Sequence, residues 1–185
     1  AGCGEGYYLG QLAAAVPDGL TLALLGLDIS KWAVQAAAKQ DKRPSWVVGT
    51  NAKLPVLPGT LDRVLCMFGF PVYPEFARVL KPGGLLVQVD AGSDHLRELR
   101  EIIYPSLKPE RPAELQTPAG FSRLPADTLR FPIELTSAGQ IADLLAMTPH
   151  LYRASAEGRA AAAALTALSL GVEVRLTGFE RDMGW

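Results

Sequence analysis

The feature that most constrains this chain is an alternation. Strand candidates, the continuously apolar LTLALLGL at residues 20 to 27 and then SWVVG from Ser45, LDRVLCMF from Leu61 and LLVQVD from Leu85, are separated by segments with helical spacing. Runs of that length with no polar alternation predict strands covered on both faces, and strands alternating with helices predict a parallel sheet. The helices read as YYLGQLAAAV (7 to 16), KWAVQAAAKQ capped by Ser30, and PEFARVL (74 to 80); Lys81 to Gly84 reads as a turn into LLVQVD. The expected fold is α/β: a doubly wound, mostly parallel sheet with helices on both faces.

Further along, SDHLRELREIIY (93 to 104) predicts a helix capped by Ser93 or Asp94. Pro105, Pro109, Pro112 and Pro118 then punctuate an irregular stretch. FSRLPADTLRFPIEL predicts a broken strand, SAGQIADLLAM and the alanine run at 160 to 164 predict helices, and VEVRLTGFERD predicts an antiparallel strand near a sheet edge. No internal repeat is visible.

With 185 residues, 49% apolar content and a formal net charge of −1, the chain can bury one core and is read as a single domain. No apolar run approaches the roughly 20 residues of a membrane-spanning helix. The expectation is a cytoplasmic protein without membrane contact. Cys3 and Cys66 give neither a disulfide framework nor a metal pattern, so no metal is expected. The neutral balance does not announce a nucleic-acid binder, whose surface is usually basic.

Two local features carry chemistry. In Gly2-Cys3-Gly4-Glu5-Gly6 the glycines alternate, and Tyr7 stands where the dinucleotide fingerprint needs its third glycine, which disfavours NAD. Such a loop still suits a sharp turn that a ligand approaches closely at a helix start; alternatively it is a tight turn only. Asp28, at the end of LTLALLGLD, is placed to accept hydrogen bonds from both hydroxyls of a ribose, or else to help cap the next helix with Ser30.

GCGEGYY, GLDISKWAVQAAAK, LPVLPGTLDRVL and ARVLKPGG together resemble class I S-adenosylmethionine-dependent methyltransferases, over most of the first 90 residues. More narrowly, GCGEGYY with GLDIS-K-AVQAAAK, then HL-REL-REIIY and MTPHLYRA, resemble the RlmA-type 23S ribosomal RNA (guanine-N1-)-methyltransferases, a family that includes macrolide-resistance enzymes.

The resemblance implies a Rossmann-like methyltransferase fold with a seven-stranded sheet whose first strand, with an acidic residue, precedes Ala1, and an N-terminal zinc module ahead of it. A sheet without that central strand would leave its neighbours unpaired, so residues 1 to 185 are not expected to fold alone. It implies S-adenosyl-L-methionine as cofactor, with Gly2, Gly4, Glu5 and Gly6 along its methionine portion, Asp28 and Ile29 at ribose and adenine, and Thr50, Asn51 and Ala52 flanking the adenine or forming a surface turn. His95 is placed near the cofactor, or is a helix-start or surface group. Tyr7 and Tyr8 are placed over the cofactor or in the core.

By the same resemblance Phe68, Phe70 and Pro71 occupy the acceptor-binding position, with Tyr73 as further aromatic surface or as core. The segment lacks the Asn/Asp-Pro-Pro-aromatic motif of exocyclic-amine methyltransferases, which fits a ring nitrogen. It also departs from the family's own segment here, and the catalytic residue stays unassigned; Asp90 is a candidate base or a structural carboxylate. Arg97, Arg100, Lys108 and Arg111 read as phosphate contacts or, with Glu98, Glu101 and Glu110 interleaved, as a solvated face. The implied partner is a 23S ribosomal RNA hairpin presenting an unpaired guanine. A small-molecule methyltransferase and a non-catalytic binding module are the alternatives. The oligomeric state stays open, a homodimer included.

Overall fold

The computed structural model describes residues 1–107 and 116–184. The chain divides into two compact units, one made of Ala1–Asp90, Gln116–Ala126 and Leu176–Trp185, the other of Ala91–Leu115 and Asp127–Arg175.

In the first unit, helix α1 (Tyr7–Ala14) follows the glycine loop, and strand β1 (Leu25–Asp28), helix α2 (Lys31–Gln40) and strand β2 (Ser45–Val48) form a βαβ turn of the chain. β1 and β2 pair in parallel, Leu25 opposite Ser45 through Asp28 opposite Val48. Ser30 caps α2 as expected, its Oγ accepting from Ala33 N–H at 3.3 Å. The apolar run from Leu20 enters the strand only at Leu25, because β2 supplies ladder partners no further back; Leu20 and Leu22 stay exposed.

Strand β3 (Leu61–Met67), helix α3 (Tyr73–Val79) and strand β4 (Leu80–Ala91) follow. The register of this parallel pair jumps from Leu61 opposite Leu80 to Arg63 opposite Leu85, so Lys81 to Gly84 form a bulge inside β4 rather than a separate turn. Leu54, Val64, Cys66, Phe76, Val79, Leu80, Leu86, Phe121 and Phe179 close the core of this unit.

The α/β class holds, but the strands fall into two sheets. β1-β2 is one; β3-β4-β7-β5, with β6 paired to β7, is the other. Here β5 is Phe121–Arg123, β6 is Asp127–Leu135 and β7 is Leu168–Arg181. Residues 1 to 3 bridge the sheets: the Ala1 amine donates to Leu65 O at 2.8 Å, and Gly2 and Cys3 N–H both donate to Leu27 O at 2.9 Å. Residues 1 to 3 belong to no strand, and β1 and β3 do not pair with each other. β7 runs antiparallel to β5, as its alternation suggests, but lies between β4 and β5 rather than at an edge.

The second unit packs α4 (Arg97–Ile103), α5 (Ala138–Ala146), α6 (His150–Arg153) and α7 (Ala156–Ala163) around Leu96, Leu99, Ile103, Leu145, Ala162 and Leu170. α4 starts later than expected and without a side-chain cap. Its N-cap is Leu96, in the left-handed region at φ 51°, while Asp94 pairs with Arg97 instead. That conformation costs a non-glycine residue of order 1–3 kcal/mol. Burying Leu96 in the core contributes a comparable amount, about 1.5–3 kcal/mol.

Candidate active site

A cavity of about 360 Å³ opens in the first unit where β1, β2 and β3 end. Gly2, Leu27, Asp28, Ile29, Gly49, Thr50, Asn51, Ala52, Phe68, Gly69, Phe70 and Val72 line it. The carboxyl ends of parallel strands are where open α/β sheets bind ligands.

Asp28 organises one side. Its Oδ2 accepts from Gly4 N–H at 2.8 Å and its Oδ1 from Ser30 N–H at 2.8 Å, so one carboxylate joins the glycine loop, the strand end and the start of α2. A carboxylate offers about four lone-pair sites. Each oxygen therefore keeps capacity for a further donor, and the two readings of Asp28, ribose acceptor and anchor of the next helix, do not compete. Gly2 and Gly4 take φ 73° and 53°, and a Cβ at either would meet nothing within 4 Å. The loop is thus open on that side, as a close ligand requires.

Gly6 is closed by contrast. At φ 83°, a Cβ there would stand 2.3 Å from Trp46 Cη2, and a Cβ at Gly26 would stand 2.3 Å from Trp46 Cζ3. The indole is a wall under the glycine loop, held by Nε1–H donating to Asp41 O at 2.8 Å. Trp46 was not singled out by the sequence reading. Gly26 inside an apolar strand was the available signal, because a strand glycine often marks a close approach.

Asn51 organises the opposite side. Its Nδ2 donates to Phe70 O at 3.1 Å, while its Oδ1 is buried without a partner. Thr50 to Lys53 do form a turn, with Thr50 Oγ1 accepting from Ala52 N–H at 3.2 Å, and that turn lines the cavity. Phe68, the residue after β3, sits in the left-handed region at φ 52°, its N–H donating to Val89 O at 2.8 Å. Backbone strain in a bulky residue is commonly found at functional positions. The Phe70 side chain is 90% exposed at the same cavity.

Glu5, Tyr7 and Tyr8 are exposed, and the two tyrosine rings meet edge to face at 5.4 Å. Ile29 lines the cavity and is largely exposed; Pro71 is half-buried next to Phe70. Tyr73 takes its core reading: the ring packs against Phe179 at 6.1 Å and its hydroxyl donates to Gln88 Oε1 at 2.9 Å. Burial pushes this phenol above its ordinary value. Gln88 in turn donates through Nε2 to Asp90 Oδ2 at 2.7 Å.

His95 belongs to the second unit, where its Nδ1 accepts from Glu173 N–H at 3.3 Å and burial lowers its proton affinity. Arg97 pairs with Asp94 and with Glu101; Arg100 donates to Ser93 O at 2.7 Å. Lys108, Glu110 and Arg111 lie outside the described residues. Burial pushes the thiols of Cys3 and Cys66 above their ordinary value. Among the described residues no helix is long and apolar enough to cross a membrane, and no group of three His, Cys, Asp or Glu could hold a metal.

The glycine loop, the strand-end carboxylate and the Thr50–Ala52 turn all fall within residues 1–84, which match the family described as a methyltransferase domain. These residues belong to a methyltransferase domain. Over the full chain, the methyltransferase domain and the residues after it superpose on the YcgJ protein of Bacillus subtilis with a TM-score of 0.60 at 20% identity, covering 99% of this chain and 90% of that one. At that identity the likeness concerns the fold.

Sequence relatives are closer over a shorter reach. YxjB of Bacillus subtilis, provisionally named a 23S rRNA (guanine-N(1)-)-methyltransferase, is 38% identical over 103 residues, 56% of this chain and 36% of its own. The 23S rRNA (guanine(748)-N(1))-methyltransferase of Streptomyces fradiae is 36% identical over 99 residues, 53% of this chain and 34% of its own. The matched region spans about a third of the length of these relatives.

Proposed function

We propose that this chain transfers a methyl group from S-adenosyl-L-methionine to N1 of a guanine in 23S ribosomal RNA. The observation that carries the reading is the 36–38% identity to relatives named for that reaction, over 99 to 103 residues of this chain.

The residues present suit the cofactor. Gly2 and Gly4 leave open space beside the backbone, Asp28 has acceptor capacity for two hydroxyls, and the unpartnered Asn51 Oδ1 is an acceptor for an amino group. When bound, the cofactor supplies an already activated methyl group, so the protein's task is chiefly positioning.

Phe70, exposed at the cavity, offers a face on which an unpaired base stacks, and Phe68 and Pro71 flank it. The N1 proton of the guanine must leave. Asp90 is the carboxylate for that step: it lies near the end of β4 beside Val89, whose carbonyl holds Phe68 N–H, and Gln88 and Tyr73 orient it through a chain of hydrogen bonds. Macrolide resistance would follow where the methylated guanine lies in a drug site.

The test is chemical identification of the product. Incubating the protein with unmodified 23S RNA and labelled cofactor, then digesting the RNA to nucleosides, is expected to give 1-methylguanosine. Label in a small metabolite with none in RNA would support the small-molecule alternative; no transfer despite cofactor binding would support a binding module.

A further inference from the structure

The exposed face of α2 is unusual for a chain of this charge. The helix buries Val34 and Ala37, and turns Lys31, Trp32, Gln35 and Lys39 outward. Lys42 follows, its Nζ capping Ala38 O, and Arg43 pairs with Asp41. From Ile29 to Val48 there are four cations and one carboxylate, in a chain whose formal net charge is −1. Trp32 is 77% exposed, with Lys31 Nζ 5.8 Å from its ring centroid.

Ile29, three residues before Trp32, is equally exposed and lines the cavity, so this face continues from the lip of the site. An open aromatic ring among lysines is the composition of surfaces that hold single-stranded nucleic acid, with bases stacked and phosphates neutralised. Protein interface cores, by comparison, are depleted in lysine. Lys31 and Lys39 stand about 12 Å apart along the helix, far enough to meet separate phosphates.

We infer that α2 holds the single-stranded RNA next to the guanine presented to the cavity, with Trp32 stacking on a base and Lys31 and Lys39 on phosphates. This inference rests on the RNA reading of the site above. The surface supplies grip on the strand, while the cavity supplies the chemistry.

The test measures affinity for an unmodified 23S RNA hairpin fragment by fluorescence anisotropy across a salt series, with S-adenosylmethionine titration as a control. W32A is expected to weaken RNA binding about tenfold. K31A/K39A is expected to reduce the slope of log K against log salt by about 1.4, at roughly 0.7 per phosphate contact on a single strand. Cofactor affinity should stay at the parent value in both.

If the parent binds RNA and both variants match it, the α2 assignment is overturned while the RNA reading stands. Loss of self-association in W32A with unchanged RNA affinity also overturns it, and assigns the face to a second copy. A parent that binds cofactor but neither binds nor methylates RNA removes the RNA reading and this inference with it.

Discussion

Gly4 N–H and the Asp28 carboxylate meet at 2.8 Å, tying a loop at the start of the chain to the end of β1. The second carboxylate oxygen is held by Ser30 N–H, so both oxygens face backbone donors. Replacing Asp28 by Asn turns one acceptor into a donor that opposes an N–H. A charge-assisted bond of this kind is worth about 1.5–3 kcal/mol. D28N is therefore expected to weaken S-adenosylmethionine binding at least about tenfold by calorimetry, with a far-UV circular dichroism spectrum like the parent's.

Gly6 and Gly4 should respond differently to the same change. Alanine at Gly6 adds left-handed strain of about 1–2 kcal/mol to a collision with the Trp46 ring. G6A is expected to lose about 2–4 kcal/mol in denaturant unfolding, and part of that loss should return in the G6A/W46A double variant. G4A meets open space, so it should lose only about the strain while cofactor affinity falls, because its methyl group enters the open side of the loop.

Asn51 joins the two lips of the cavity. N51D keeps an acceptor but loses the donor to Phe70 O, whereas N51A loses both. Steady-state kinetics are expected to show N51D raising KM for the RNA about tenfold with cofactor affinity near the parent value. N51A should weaken both.

Glu75 ties the start of α3 to the turn after the site. Arg78 pairs with it at 2.8 Å and Leu54 N–H donates to it at 2.8 Å, which lowers its carboxyl to about 2. A carboxyl lowered on folding adds stability above its ordinary value near 4.5, and that contribution is lost as pH falls from there toward 2. Thermal unfolding followed from pH 6 to pH 3 should show the parent losing Tm more steeply than E75Q, whose side chain does not titrate.

The sequence made the βαβ order, the Ser30 cap and the cavity side chains Asp28, Asn51 and Phe70 legible, because each depends on spacing along the chain or on a strand end. Trp46 against Gly6 and Gly26 was not, since three residues from separate segments meet only after folding. The same holds for the hydrogen bonds from residues 1 to 3 to Leu65 and Leu27. At Leu96, polar residues suggested a cap at Ser93 or Asp94, but burial of the leucine outweighed capping and moved the helix start. Tyr73 was ambiguous by type alone; the bond to Gln88 and the Phe179 contact decide it.

The central claim is methylation of one guanine at the edge that pairs. Primer extension over 23S RNA treated with the protein and S-adenosylmethionine reads this directly, because a methyl group at N1 blocks base pairing. The account predicts one new reverse-transcription stop, absent without cofactor and weaker with D28N at limiting cofactor. Full-length extension through RNA that has taken up the methyl label would contradict it, placing the group away from guanine N1.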